Sequence, residues 1–187
     1  MTGQISDQFK YEGDVYNLVG LDGESLYTAD DFGITTQMAS TACWRGYQMF
    51  YDCVDGDLIL DSLHVRTKDK ITINGIAPKE GQDDNFMFNC IYENLALKTK
   101  FTGTLLLGKD FIQEMYVHMG FQSAESYRTV YEIEVRNGDI IKVTDLSTRM
   151  EERRIRGQEK PASPPSDDEK DVSDWIKDRF SQEYNPE

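Results

Sequence analysis

Two stretches, Tyr51–Leu60 (YDCVDGDLIL) and Tyr131–Ile141 (YEIEVRNGDII), share one pattern. Each alternates apolar and polar residues, meets Asp-Gly or Asn-Gly, then continues through Asp into aliphatics. Asp-Gly and Asn-Gly suit type I′ turns, which need positive φ at both central residues, so each stretch predicts a tight hairpin. In the second, Thr129, Tyr131, Ile133 and Val135 fall on one face, and Glu132, Glu134 and Arg136 on the other. A period of two is that of a half-buried strand.

The echo extends backward. Leu26-Tyr27 precedes Asp30-Asp31-Phe32, and Leu106-Leu107 precedes Asp110-Phe111. An internal duplication over 22–66 and 102–147 is one reading; limited turn chemistry is the other. Further strand signals lie at Phe9–Val19, around Glu12-Gly13, and at Phe86–Leu97. Many short strands with turn signals and little helix predict a mainly β domain over 1–147, an antiparallel sandwich or a partly closed barrel.

From residue 148 the character changes. Residues 148–157 form a charged helix candidate, TRMEERRIRG, and 158–166 have the Pro/Ser composition of a spacer. An acidic amphipathic helix is expected within 167–187, with Ser166 and Glu169 as a capping box and Val172, Trp175, Ile176 and Phe180 at helical spacing. So narrow an apolar stripe is marginal in isolation and needs a surface to dock on. It predicts a protein partner, or self-association, through this C-terminal helical tail.

The net charge is −14, unevenly spread. Residues 1–60 hold ten acids against two bases, and 159–187 hold nine against four, while 61–158 are nearly balanced. Such a surface repels phosphate backbones, so direct nucleic-acid binding is not expected. No apolar run approaches the roughly 18 residues of a membrane span, and the start, MTGQISDQFK, is polar. The expected location is the cytoplasm, with the three cysteines Cys43, Cys53 and Cys90 as reduced, buried thiols.

Catalytic motifs are missing. Neither GxxxxGK[ST] nor GxGxxG occurs. An EF-hand loop with Gly56 in sixth place puts Tyr51, Cys53 and Ser62 where ligands belong. Cys43, Cys53, Cys90, His64 and His118 lack zinc spacing, so neither metal nor cofactor is expected. One enzyme reading stands: Cys43 as the nucleophile of a small hydrolase or transferase, with His64 or His118 as base and Arg45 holding an anion. Asp30-Asp31 and Asp110 are a weaker acid–base candidate set. Against these, Ser40–Tyr47 (STACWRGY) reads as a corner before a strand, with Arg45 pairing Asp31 or Asp52.

The leading expectation is a non-catalytic binding, inhibitory or accessory protein acting through an acidic surface, the tail helix, or both. An acidic mimic of nucleic acid, serving as an anti-toxin or anti-defence protein, is the third reading.

Overall fold

The computed structural model describes residues 2–24, 26–81 and 87–184. The strands are β1 (Gln8–Tyr11), β2 (Asp14–Glu24), β3 (Tyr47–Val54), β4 (Asp57–Val65), β5 (Lys79–Glu80), β6 (Cys90–Tyr92), β7 (Leu97–Lys98), β8 (Thr102–Phe111), β9 (Tyr127–Arg136) and β10 (Asp139–Asp145). Helices α1 (Ser147–Ile155) and α2 (Glu169–Phe180) follow. The strand order β10-β9-β8-β2-β1-β3-β4, with β4 meeting β10, closes a seven-strand barrel. Strands β5, β6 and β7 extend it on the β4 side. All barrel pairings are antiparallel except β1 with β3.

The expected hairpins form. Glu12-Gly13, Asp55-Gly56 and Asn137-Gly138 all have positive φ at both turn positions, as type I′ geometry requires. Inward residues fill the barrel: Phe9 stacks on Tyr51 at 4.7 Å, and Tyr131 meets Tyr11 and Tyr16 edge-on at 5.7 Å each. Leu58, Leu60, Leu63, Phe101, Leu105, Leu107 and Ile133 are fully buried among them. The interior is a packed core, as in other small barrels. A second cluster lies outside the wall, where Met150 of α1 and Leu146 cover Leu106, Tyr127 and Val130. Of the expected strand Phe86–Leu97, Phe86 lies outside the described residues and only Cys90–Tyr92 and Leu97 are strand.

Closure depends on the two hairpin tips. Leu58 N–H donates to Gly138 O at 2.8 Å, and Ile140 N–H donates to Gly56 O at 2.7 Å. The exchange is reciprocal, with the same offset on both sides. Lys98 Nζ spans the contact, bonding Asp57 at 2.8 Å and Asp139 at 2.5 Å. The likeness of the two segments stops there. Strand β8 pairs directly with β9, whereas β1 lies between β2 and β3. The strand order of 22–66 therefore differs from that of 102–147.

The tips supply a paired test. Gly56 and Gly138 share φ 83°, but a Cβ on Gly56 meets nothing within 4 Å, while one on Gly138 lies 2.2 Å from Thr99 O. Gly56→Ala is expected to cost about 1 kcal/mol, the strain of a left-handed residue. Gly138→Ala should cost at least about 2 kcal/mol, because Thr99 must also move. Denaturant unfolding of both variants measures the difference.

Candidate binding groove and the corner loop

The STACWRGY segment makes a corner, built on one ion pair between a buried carboxylate and a half-buried guanidinium. Asp7, 4% exposed, accepts from Arg45 Nη1 at 3.0 Å and Nη2 at 2.6 Å, and from the Met49 amide at 2.7 Å. Arg45 Nε donates to Tyr47 O at 2.9 Å, and the guanidinium lies 4.7 Å from the Tyr47 ring centre. The partner is Asp7, not the expected Asp31 or Asp52. Asp31 instead accepts from the Thr28 amide and hydroxyl, and Asp52 lies 3.9 Å from Lys10. The reason is topological: β1 runs parallel beside β3, which brings the residue just before β1 to the residues just before β3. Sequence spacing carries no signal of that pairing.

Cys43 is 1% exposed, and its thiol donates to Tyr47 O at 3.4 Å. Burial raises its pKa against the lowering effect of Arg45. A nucleophilic thiol needs the opposite shift. His64 lies on β4, its ring 4.5 Å from Phe50 and 6.0 Å from Phe88, and His118 packs 4.9 Å from Tyr116. Cys43 thus directs its hydrogen bond to backbone, and each histidine packs in its own aromatic surroundings. Asp110 accepts from Thr129 Oγ1 at 3.0 Å across the β8–β9 pair, whereas Asp31 bonds locally to Thr28. Among the described residues, no group of three or more His, Cys, Asp or Glu is arranged to hold a metal.

The tail lands on this corner. Phe180 stacks on Trp44 at 5.0 Å, and the Phe121 amide donates to Arg179 O at 2.7 Å. Val172, Trp175, Ile176 and Phe180 are all half-buried within the chain's own fold. The helix cap is Asp168, which accepts from Lys170 N at 2.9 Å, rather than the expected Ser166. The proline-rich segment is not a free spacer. Trp175 Nε1 donates to Pro161 O at 3.0 Å, and Arg179 Nη2 donates to both Lys160 O and Pro161 O. A large aromatic donor and a long cation on one helix face find the carbonyls of a chain that turns back over them.

The groove that gathers most chemistry lies elsewhere, on the outer wall of β1, β3 and β4. Phe50 pairs with Ser62 and Tyr51 with Leu60, leaving Asp61 as the extra residue of a β-bulge. Leu60 and Leu63 point inward, so Asp61 and Ser62 both project outward. The groove, about 420 Å³, is lined by Lys10, Phe50, Asp52, Asp61, Ser62, His64 and Glu93, with exposed Val15 at its side. Ser62 Oγ donates to Asp61 at 2.6 Å, and Lys79 pairs with Glu93. The Lys79 ammonium beside Glu93 lowers its pKa, and His64 adds to the lowering. Phe50 and His64 supply an aromatic surface, their rings tilted 49° to each other, and of the three carboxylates Asp52 faces Lys10, Glu93 faces Lys79 and Asp61 faces the Ser62 hydroxyl. The sequence did hold a signal: inward leucines at 58 and 60 resume at 63, a slip of one in the alternation.

No family model matches the chain, and neither a curated protein nor a solved structure matches it. No helix among the described residues is long and apolar enough to cross a membrane.

The buried acids predict an alkaline limit. Burial raises the thiols of Cys43 and Cys90, and pushes Cys53 up to about 12, with Asp52 adding to it. Burial pushes Tyr127 up to about 12 as well. A raised folded pKa gives stability that is full below the unfolded value and lost as pH rises through the folded one. Unfolding free energy should therefore fall from about pH 9 upward, the unfolded thiol range. Cys53→Ala should flatten that limb, as followed by urea titration between pH 7 and 11. At neutral pH, Cys43 should label with a thiol reagent only as fast as the fold opens.

Proposed function

We propose that the protein is a non-catalytic binding module whose outer groove on β1, β3 and β4 receives a basic peptide segment. The observation that carries this reading is the bulge at Asp61, which projects a carboxylate and a hydroxyl together beside an aromatic platform. A lysine or arginine side chain matches such a surface: its methylene stem lies on Phe50 and Val15, and its cation meets Asp61 and Glu93. The wider charge agrees, since the chain carries −14 and residues 1–60 hold ten acids against two bases. That excess raises the encounter rate with a basic partner. The packed barrel interior and the buried Cys43 favour this reading over a ligand carrier or a thiol enzyme.

The test uses a short oligolysine peptide and the full chain. Amide NMR shifts should concentrate at Phe50, Asp61, Ser62 and Glu93. The double change Asp61→Asn with Glu93→Gln should weaken binding about five-fold, the loss of two exposed charge pairs of roughly 0.5 kcal/mol each. Removing the same charge at Asp167 and Glu169 should leave the affinity unchanged. Binding that responds equally to both double changes is diffuse charge attraction and contradicts the groove.

A further inference from the structure

The edge of β2 that the tail covers has the form of a strand-accepting site. Strand β1 pairs with β2 only through Asp14–Asn17, with Leu18 N–H then bonding Asp7 O. Beyond Leu18 that edge is taken by the chain's own C-terminal segment. Leu21 N–H donates to Gln182 O at 2.6 Å, Tyr184 N–H donates to Leu21 O at 2.9 Å, and Gln182 Nε2 donates to Leu18 O at 2.7 Å. Tyr184 OH donates to Glu132. Gly20 lets the segment lie close, since a Cβ there would sit 3.0 Å from Tyr184 Cβ.

The segment belongs to a unit that is also fastened to itself. Lys160 pairs with Asp178 at 2.9 Å, Ser166 Oγ bonds Asp171 at 2.6 Å, and Trp175 and Arg179 hold the 160–161 carbonyls. The unit joins α1 through Gly157, at φ 65° with nothing within 4 Å of a Cβ built there. Gly157 N–H bonds Arg154 O and Gln158 N–H bonds Arg153 O, a turn that a glycine hinge permits. The seat also carries a cost. Arg179 is 2% exposed, and its Nε has no hydrogen-bond partner among the described residues.

From these observations we infer that the β2 edge and the Trp44 shelf accept the 158–184 unit of a second copy, giving a dimer by reciprocal exchange of tails. A second copy is the occupant because its tail brings the same backbone register, the same Phe180 for Trp44 and the same Tyr184 for Glu132. Exchange preserves the contacts between the 158–184 unit and the barrel and gives up only the turn bonds of Gly157 and Gln158 to α1. This inference is independent of the acidic groove.

The test replaces Gly157 and Gln158 with alanine, which removes the left-handed hinge and continues α1 outward. Light scattering should show twice the mass of the chain. Isotope-filtered NMR on mixed labelled and unlabelled chains should show Trp44–Phe180 contacts between molecules. The wild-type chain, mixed as labelled and unlabelled samples at high concentration in mild urea and then returned to buffer, should give the same contacts in its dimer fraction. A variant that stays monomeric, or a dimer whose Trp44–Phe180 contacts remain within each chain, overturns the proposal. So does a wild-type chain that yields no dimer fraction.

Discussion

The Asp7–Arg45 pair sits where four separate parts of the chain meet. Asp7 immediately precedes β1, Arg45 lies two residues before β3, and the Met49 amide on β3 bonds the same carboxylate. Around it lie the 116–121 loop, joined to the N-terminus by the bond from Gln4 N–H to Gly120 O, and the tail, joined by Phe121 to Arg179. Asp7 is buried while the Arg45 side chain is 25% exposed, so removing the arginine leaves a buried carboxylate without its cation. Here both carboxylate oxygens and three guanidinium nitrogens have partners, which is the condition under which the pair fixes geometry. It sets the parallel register of β1 on β3, the exception in an otherwise antiparallel barrel.

The barrel depends on that register at one seam and on the hairpin tips at the other. Strands β4 and β10 share a single paired position, Asp57 with Asp139. The rest of that seam is filled by the chain leading into β8: Leu95 N–H bonds Asp61 O, Thr99 N–H bonds Leu58 O, and Gly138 N–H bonds Phe101 O. Two like-charged tips approach there because Lys98 bridges their carboxylates. The bulge that leaves Asp61 outward lies on the same strand as this seam, so closing the barrel and shaping the outer groove are parts of one distortion of β4.

Local features were legible in the sequence, and distant pairings were not. The turns at Gly13, Gly56 and Gly138 follow from backbone sterics at their own positions, and the alternation of β9 follows from its burial. The buried state of Cys43 and the corner role of STACWRGY follow from the same local reading. The partner of Arg45 was missed because parallel pairing of β1 with β3 leaves no local trace. The composition of 158–166 carried no sign that Trp175 and Arg179 would supply donors to the carbonyls of Lys160 and Pro161, because composition reports what a segment does alone. The groove was written in the one-residue slip between Leu60 and Leu63, visible only when a bulge is considered in place of strict alternation.

The Asp7–Arg45 pair holds the seat on which the tail docks. Native-state hydrogen exchange on Arg45→Met tests it most directly. The Met49, Leu21 and Tyr184 amides should lose protection together, by about ten-fold or more relative to Ile133 on β9, a local loss of about 1.4 kcal/mol. Unchanged protection at Leu21 and Tyr184 relative to Ile133, with only Met49 exchanging faster, would contradict it.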